Sequence, residues 1–317
     1  MRFIQILFAS LLISFTLSSP KIPIIAIYSH PQPFDSEFYT ADVVNSNTVR
    51  WLESAGAGVV MIHPWHELSE IDEILSKVNG VLFQTGEREL NLENKWETNA
   101  NYILDKVKKI NENGIYFPLL GVGQGFELLH ALVADNLEVL NDFNANEFTD
   151  PLVTSPDFEN SRMFAGITKE EKIMLTEENI AAQFHKKGVK LDTYFKQREL
   201  DDFFNVTTYG QDKDGHIFVD TVEAKKYPIY AVQHNPEKIS FERHFNSIPT
   251  SLGAIVISQR IGQFFVDEAR KNENHISNAD LIRFDYIDSM TNVKRFYYFQ
   301  DAVPVMGENP DENSFLA

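Results

Sequence analysis

A group of closely spaced glycines follows an apolar run near the middle of the chain. The run from Tyr116 to Leu120 leads into Gly121-Val122-Gly123-Gln124-Gly125, and an amphipathic stretch begins at Phe126. This order predicts a strand, a sharp turn and a helix. In α/β proteins such an elbow lifts a nucleophile above the sheet edge, beside donors that stabilise an oxyanion. The residue at the apex is Gly123, so the elbow is predicted without a nucleophilic side chain.

A second polar turn follows an apolar run near residue 230. Tyr227 to Val232 reads as a strand, and Gln233-His234-Asn235-Pro236-Glu237 follows it directly. Ligand sites and catalytic groups of α/β folds collect at the carboxyl ends of strands. Histidine and carboxylate side chains are the usual general acids and bases. This turn is therefore the second candidate site segment.

The elements around these turns alternate between strand and helix patterns. This alternation predicts βαβ units and a mostly parallel central sheet. Short strands are also expected near residues 173–175 and 203–208, and an extended tail is expected to wrap the body from Asn272, with disorder beyond Gly307. The remaining predicted strands are 22–28, 58–63, 79–84, 217–222 and 228–233, and the predicted helices are 39–55, 68–77, 96–110 and 254–271.

Composition restricts the partners of this chain. Its 317 residues include 43% hydrophobic residues, which is enough for a sizeable core, and no linker divides it. The formal net charge is -18. Nucleic acid and anionic membrane surfaces require a basic face. We therefore expect neither as a partner, and we expect one domain over residues 20–317.

The amino terminus has the pattern of a secretory signal peptide. Met1-Arg2 precedes a mostly apolar run from Phe3 to Leu17, and small residues follow at Ser18-Ser19. The sequence therefore predicts a signal peptide over residues 1–19 and a glycan acceptor at Asn205, in the sequon Asn205-Val206-Thr207. The chain has no cysteine, which excludes thiolate nucleophiles and thiolate metal sites.

Many stretches of this chain, in order, resemble the γ-glutamyl hydrolase family, a branch of the class I glutamine amidotransferase-like hydrolases. The resemblance implies a three-layer α/β sandwich of flavodoxin-like type with a central mostly parallel sheet. It also implies a homodimer, no cofactor and a lysosomal, vacuolar or extracellular location. The matching stretches are PIIAIY (23–28), WLESAGAGVV (51–60), NGVLFQTG (79–86), YFPLLGVGQGFELL (116–129), SRMF (161–164), QFHK (183–186), FFNVTT (203–208), YPIYAVQHNPEK (227–238) and FFVDEARKN (264–272).

The departures from this family fall on its catalytic positions. Where the family has its nucleophilic Cys within Gly-Thr-Cys-Leu-Gly, this chain has Gly123. Where the family has the base His of Gln-Trp-His-Pro-Glu, this chain has Asn235, while Glu237, which orients that base, is kept. His234 is displaced by one residue and is expected on the opposite face of the strand. The oxyanion-side Pro-Gly-Gly appears as Gln84-Thr85-Gly86.

Four further residues are candidates for a ligand pocket. Gly86 and Gln124 lie next to the altered loop and the elbow, His185 aligns with a family histidine near the active site, and His234 adjoins the base position. A lone histidine such as His185 is more often structural, and Glu237 is interpreted as a retained hydrogen-bond partner in preference to a catalyst. The spacing of His63-Pro64-Trp65-His66 occurs in metal sites, but without further ligands it predicts a surface loop and no metal.

Two functions remain open at this point. The first is a non-catalytic relative that binds a γ-glutamyl or other small ligand, because a nucleophile and a base are both needed for covalent acyl transfer. The second is an active hydrolase of folyl-polyglutamates that uses water activated by Glu237 or His185, or a nearby Ser or Thr. Glutamate release from such a substrate distinguishes the two.

Overall fold

The computed structural model describes residues 22–32, 41–285 and 287. The predicted signal peptide and the tail beyond residue 287 lie outside this part of the chain. The strands are β1 (Ile24–Tyr28), β2 (His30–Gln32), β3 (Ala41–Val43), β4 (Gly58–Ile62), β5 (Gly80–Phe83), β6 (Leu119–Val122), β7 (Asn141–Asp150), β8 (Val153–Thr154), β9 (Ala181–Gly188), β10 (Phe204–Gln211), β11 (Ile217–Ala224) and β12 (Ile229–Val232).

Helices connect most of these strands. None of the helices in the described part of the chain combines the length and the apolarity that a membrane crossing requires. The helices are α1 (Ser46–Ser54), α2 (Leu68–Leu75), α3 (Lys95–Glu112), α4 (Gln124–Ala134), α5 (Lys169–Glu177), α6 (Leu191–Lys196), α7 (Arg198–Phe203), α8 (Lys238–Phe241), α9 (Leu252–Arg270) and α10 (Asn278–Arg283).

Eight of the strands form one mixed sheet in the order β4-β1-β5-β6-β12-β11-β10-β8. The strands from β4 to β12 in this order run parallel, and β11, β10 and β8 continue the sheet antiparallel. Strands β6 and β12 are neighbours, with Val122 opposite Val232. The turns that follow these two strands therefore leave the sheet side by side.

Apolar side chains cover both faces of the sheet. All five residues of β1 are buried, as expected for a strand between two helical layers. Its odd and even positions alternate between two apolar clusters: one includes residues of α2, α3 and α4, and the other includes residues of α1 and α9. The predicted three-layer α/β sandwich with a mostly parallel core of strands is confirmed.

Two local predictions were wrong. The helix expected over residues 39–55 begins only at Ser46, because Asn45 caps it by accepting a hydrogen bond from the Asn47 amide, and β3 precedes it. The short strand expected near residues 173–175 is part of α5, which begins with reciprocal capping contacts between Thr168 and Glu171. In both cases a capping residue sets where the helix begins, which apolar residues alone do not indicate.

The segment after α9 packs along the edge of the sheet. The Asn274 side chain donates to the carbonyls of Leu75 and Val78. Helix α10 follows, and Ile287 then forms an antiparallel bridge with Val59 of the edge strand β4. The described part of this segment therefore lies along the body, with a short helix where an extended chain was expected.

Candidate functional site

The elbow predicted from the glycine spacing is confirmed. Gly123 follows β6 and precedes α4, and its amide donates to the Val232 carbonyl of β12 at 2.9 Å. Its φ of 55° and ψ of -114° form a conformation that side-chain-bearing residues rarely adopt. At Gly125 a Cβ atom would lie 2.0 Å from the Phe83 carbonyl oxygen, so the helix start packs directly against β5.

The side chains of Thr85 and Asn235 lie directly against the apex. A Cβ atom built on Gly123 would be 2.5 Å from Thr85 Oγ1 and 2.9 Å from Asn235 Nδ2. Asn235 Nδ2 donates to Thr85 Oγ1 at 2.8 Å and to Glu237 Oε1 at 3.0 Å. These four residues, Thr85, Gly123, Asn235 and Glu237, are called the elbow group below.

Glu237 is fully buried within this group. Its Oε2 atom has no hydrogen-bond partner among the residues that the structure describes. Burial raises the pKa of the Glu237 carboxyl, and Lys238 beside it and the hydrogen bond from Asn235 only partly oppose this effect. Asn235 therefore lies between the apex and a carboxyl group, and its amide donates to Thr85 on one side and to Glu237 on the other.

Gly86 and Gln124 meet on the other side of Thr85. A Cβ atom on Gly86 would be 2.6 Å from the His30 imidazole and 2.7 Å from Gln124 Oε1. Gln124 also accepts from the Arg88 amide and donates to the Arg88 carbonyl, so its side chain fixes the loop after β5. Burial lowers the pKa of His30 to about 4, which keeps this imidazole neutral.

His234 points away from the elbow group. Its Nδ1 lies 2.8 Å from Asp220 Oδ1, and both side chains are almost fully buried. Gln183 Nε2 joins Asp220 to Asp150, at 3.3 Å and 3.0 Å. These four residues, Asp150, Gln183, Asp220 and His234, are called the buried polar group.

His234 and Asp220 in the buried polar group shift each other's pKa toward the charged forms. Burial acts to lower the pKa of His234, but the charge and hydrogen bond of Asp220 outweigh it, and the pKa is raised. Burial likewise acts to raise the pKa of Asp220, and His234 reverses that effect. Asp150 lacks such a partner, and burial raises its pKa to about 7. The buried pair with Asp220 thus favours the protonated form of His234.

His185 lies near the buried polar group in an aromatic environment. Its Nδ1 is 2.8 Å from the Lys187 carbonyl oxygen, and its ring centroid is 4.8 Å from that of Phe218. Burial lowers the pKa of His185 to about 4. The neutral ring therefore donates through Nδ1, and Nε2 has no partner within the described residues.

Glu127 is a buried acid one helical turn after the apex. Gln233 Nε2 donates to its Oε1 at 3.3 Å. Burial raises the pKa of the Glu127 carboxyl to about 8, so it is mostly protonated at neutral pH. Glu127 and Gln233 connect the start of α4 to the residue that precedes His234.

Three residues of this region were not identified as site residues from the sequence. Thr85 was seen only as part of an altered loop, and its contact with Gly123 depends on how that loop folds back. Glu127 could have been found from its spacing of four residues after Gly123, which places it on the same helix face. Asp220 could have been found as the one charge in the predicted apolar strand over residues 217–222.

Two other polar features lie apart from the elbow. Ligand atoms of Asp212, Asp214 and His216 lie within 4.8 Å of one another, but both Asp212 oxygens already accept backbone amides in a turn. An open cavity of about 350 Å³ lies between α2 and α3. Neither feature includes a predicted site residue. Asn205, the predicted glycan acceptor, is exposed on β10.

The sequence of this chain is similar to those of known proteins. The family model of peptidase C26 matches residues 22–237. "Gamma-glutamyl hydrolase B" of Dictyostelium discoideum is 31% identical over 298 residues, which is 87% of this chain and 83% of the relative. "Gamma-glutamyl hydrolase" of Mus musculus is 34% identical over 238 residues, 74% of each chain.

A solved structure with a similar course of the chain is that of a putative GMP synthase protein from Thermoplasma acidophilum. It is 15% identical, covers 78% of this chain and 94% of its own, and has a TM-score of 0.48. The sequence relatives and the family model cover most of the described residues, including both turns at the candidate site. The chain therefore belongs to the γ-glutamyl hydrolase family, peptidase C26.

Proposed function

We propose that this chain is a γ-glutamyl hydrolase-like protein without hydrolytic activity that retains a pocket for γ-glutamyl ligands of the folyl-polyglutamate type. The observation that carries this proposal is the composition of the elbow group. The apex residue Gly123 has no side chain, and the neighbouring Asn235 is an amide that donates both of its protons, to Thr85 and to Glu237.

This arrangement opposes the chemistry of acyl transfer. Covalent hydrolysis needs a nucleophile and a base that accepts its proton. Asn235 cannot accept a proton near neutral pH, and a buried ion pair with Asp220 holds the neighbouring His234. Loss of the nucleophile or the base of such a triad costs about a millionfold in turnover. Backbone donors and binding alone leave roughly a thousandfold over water.

Unpartnered polar atoms support the ligand part of the proposal. His185 Nε2 and Gln233 Oε1 are buried and make no hydrogen bond to any described residue. Glu127 lies beside Gln233 with a carboxyl group that is mostly protonated and can donate. Buried polar atoms cost free energy unless they are paired. A γ-glutamyl ligand, with its amides and carboxylates, supplies suitable partners.

The setting of the protein is part of the same proposal. The signal-peptide pattern of residues 1–19 and the exposed Asn205 side chain of the sequon favour passage through the secretory pathway to the extracellular space or to a lysosome or vacuole. By the same family resemblance we propose a homodimer, with no cofactor and no metal.

One observation favours the alternative, an active folate γ-glutamyl hydrolase with a mechanism that does not use cysteine. The hydroxyl of Thr85 lies beside the apex, and the carboxyl group of Glu237, of a type that can transfer protons, is bonded to Asn235. In the structure, however, Asn235 donates to the Thr85 oxygen, which is the opposite of what a general base does. An active centre of this kind would require Asn235 to rearrange.

Binding and release can be measured on one sample to test the proposal. Calorimetry with folyl-pentaglutamate should show binding to the wild type, and an assay for free glutamate should stay at the level of the no-protein control. Glu127→Ala should weaken binding, whereas Asp105→Asn, in the cavity between α2 and α3, should bind as the wild type does. Release of glutamate would establish the alternative, and the lack of binding would contradict the ligand assignment.

A further inference from the structure

The loop that carries Thr85 is held firmly on both sides. The Gln84 side chain accepts from the Asn45 amide at 2.7 Å and donates to the Val43 carbonyl at 2.6 Å. On the other side, Gly86 packs tightly between His30 and Gln124. Because both neighbours are fixed, the backbone of Thr85 cannot move away from the elbow without breaking these contacts.

The Thr85 side chain fills the space in front of the apex. Its Oγ1 and Cβ atoms would lie 2.5 Å and 3.1 Å from a Cβ atom on Gly123. Contacts below 3.0 Å are essentially never made by real Cβ atoms, and a longer side chain at this position would need still more room. Rotation about χ1 can turn the hydroxyl away from the apex, but Cβ of Thr85 stays at 3.1 Å.

The same hydroxyl also holds Asn235 in position. Asn235 Nδ2 has two protons, and the structure uses one for Thr85 and the other for Glu237. Thr85 is therefore both a steric and a hydrogen-bonding component of the elbow group. A glycine in its place, as in the Pro-Gly-Gly that the family resemblance implies for this loop, would supply neither contact.

We propose that Thr85 closes the former nucleophile position, so that the elbow is blocked by a side chain as well as lacking its reactive groups. This inference rests on the proposed function, because that proposal treats Gly123 as the vacated nucleophile position. It implies that replacing Gly123 and Asn235 alone is not enough to rebuild an accessible centre.

The lack of cysteine in this chain makes a direct test practical. Gly123→Cys introduces the only thiol, and its reaction rate with iodoacetamide under native conditions reports access to the apex. Adding Thr85→Gly should make alkylation about tenfold faster, which corresponds to a barrier lower by about 1.4 kcal/mol. Adding Thr85→Val, which keeps the volume and removes the hydroxyl, should leave the thiol as slow as in the Gly123→Cys parent.

The controls distinguish blocking of the apex by Thr85 from misfolding of a variant and from failure of the proposed function. Thermal melting and circular dichroism show whether each variant is folded, and alkylation in denaturant gives the rate of the fully accessible thiol. Equal native rates with and without the Thr85→Gly substitution would overturn the inference. A fast rate in the Thr85→Val variant would overturn the steric part and leave the hydrogen bond as the cause. The proposed function fails by a different readout, glutamate release by the wild type.

Discussion

His234 and Asn235 are consecutive residues in the turn after β12, and they belong to two very different environments. Asn235 lies in the elbow group, where a neutral amide connects a hydroxyl to a carboxyl group. His234 lies in the buried polar group, where its ring forms an ion pair with Asp220. Each environment is completed by residues from other strands and loops. The comparison shows that His234, although adjacent to Asn235, is not available as a base in the elbow group.

The largest expected effect comes from breaking the ion pair of the buried polar group. Asp220→Ala removes the carboxylate and leaves His234 buried without its partner, so we expect a loss of about 3–5 kcal/mol in the free energy of unfolding. Urea denaturation measures this loss. Asp214→Ala, an exposed carboxylate, is the control and should change stability far less. A loss for Asp220→Ala no larger than for the control would mean that the pair does not support the fold.

The second prediction concerns pH and the buried acid Glu127. The pKa of Glu127 rises from 4.5 to about 8 on folding. The folded chain therefore keeps this proton over a range where the unfolded chain has lost it, and the stability that it contributes is complete below pH 4.5 and falls as pH rises toward 8. The slope is about 1.4 kcal/mol per pH unit for such a group.

Glu127→Gln tests this slope, because glutamine keeps the shape and does not ionise. Urea midpoints at several values between pH 5 and pH 8 should fall more steeply with pH for the wild type than for the variant. Part of the slope should remain in the variant, since burial also raises the pKa of Asp150 to about 7. Parallel pH profiles for the two proteins would show that Glu127 ionises in the folded chain as it does in water.

A smaller loss is expected from the elbow group. Asn235→Ala removes both hydrogen bonds of the amide and leaves Glu237 buried without its Oε1 donor. The cost should be that of leaving buried polar groups unpaired, about 1–3 kcal/mol. Urea denaturation beside Asp220→Ala ranks the two environments, and a larger loss for Asn235→Ala would invert the comparison.

The smallest effect is expected for an ion pair on the protein surface. Lys95 and Glu67 are 2.9 Å apart, and their side chains are 54% and 74% exposed. Exposed pairs of this kind contribute about 0–1 kcal/mol. Lys95→Gln should therefore leave the urea midpoint nearly unchanged. A loss that approaches that of Asp220→Ala would show that burial is not what distinguishes the ion pair of the buried polar group.

The elbow and the mostly parallel sheet could be predicted because they follow from local patterns. The spaced glycines predict the strand–turn–helix unit at Gly123, and the buried apolar runs predict the parallel strands. Thr85 and Asp220 could not be placed in the same way, because their partners are Gly123 and His234, which are distant in sequence. The late start of α1 also escaped prediction, because Asn45 sets a boundary that apolar periodicity does not mark.

The most direct test of the central claim is glutamate release from folyl-pentaglutamate by the wild type, measured beside a Thr85→Gly/Gly123→Cys/Asn235→His triple variant. The account predicts no release by the wild type above the no-protein control, and release by the triple variant, which combines an open apex with a nucleophile and a base. Release by the wild type at a rate that the triple variant does not exceed would contradict the account.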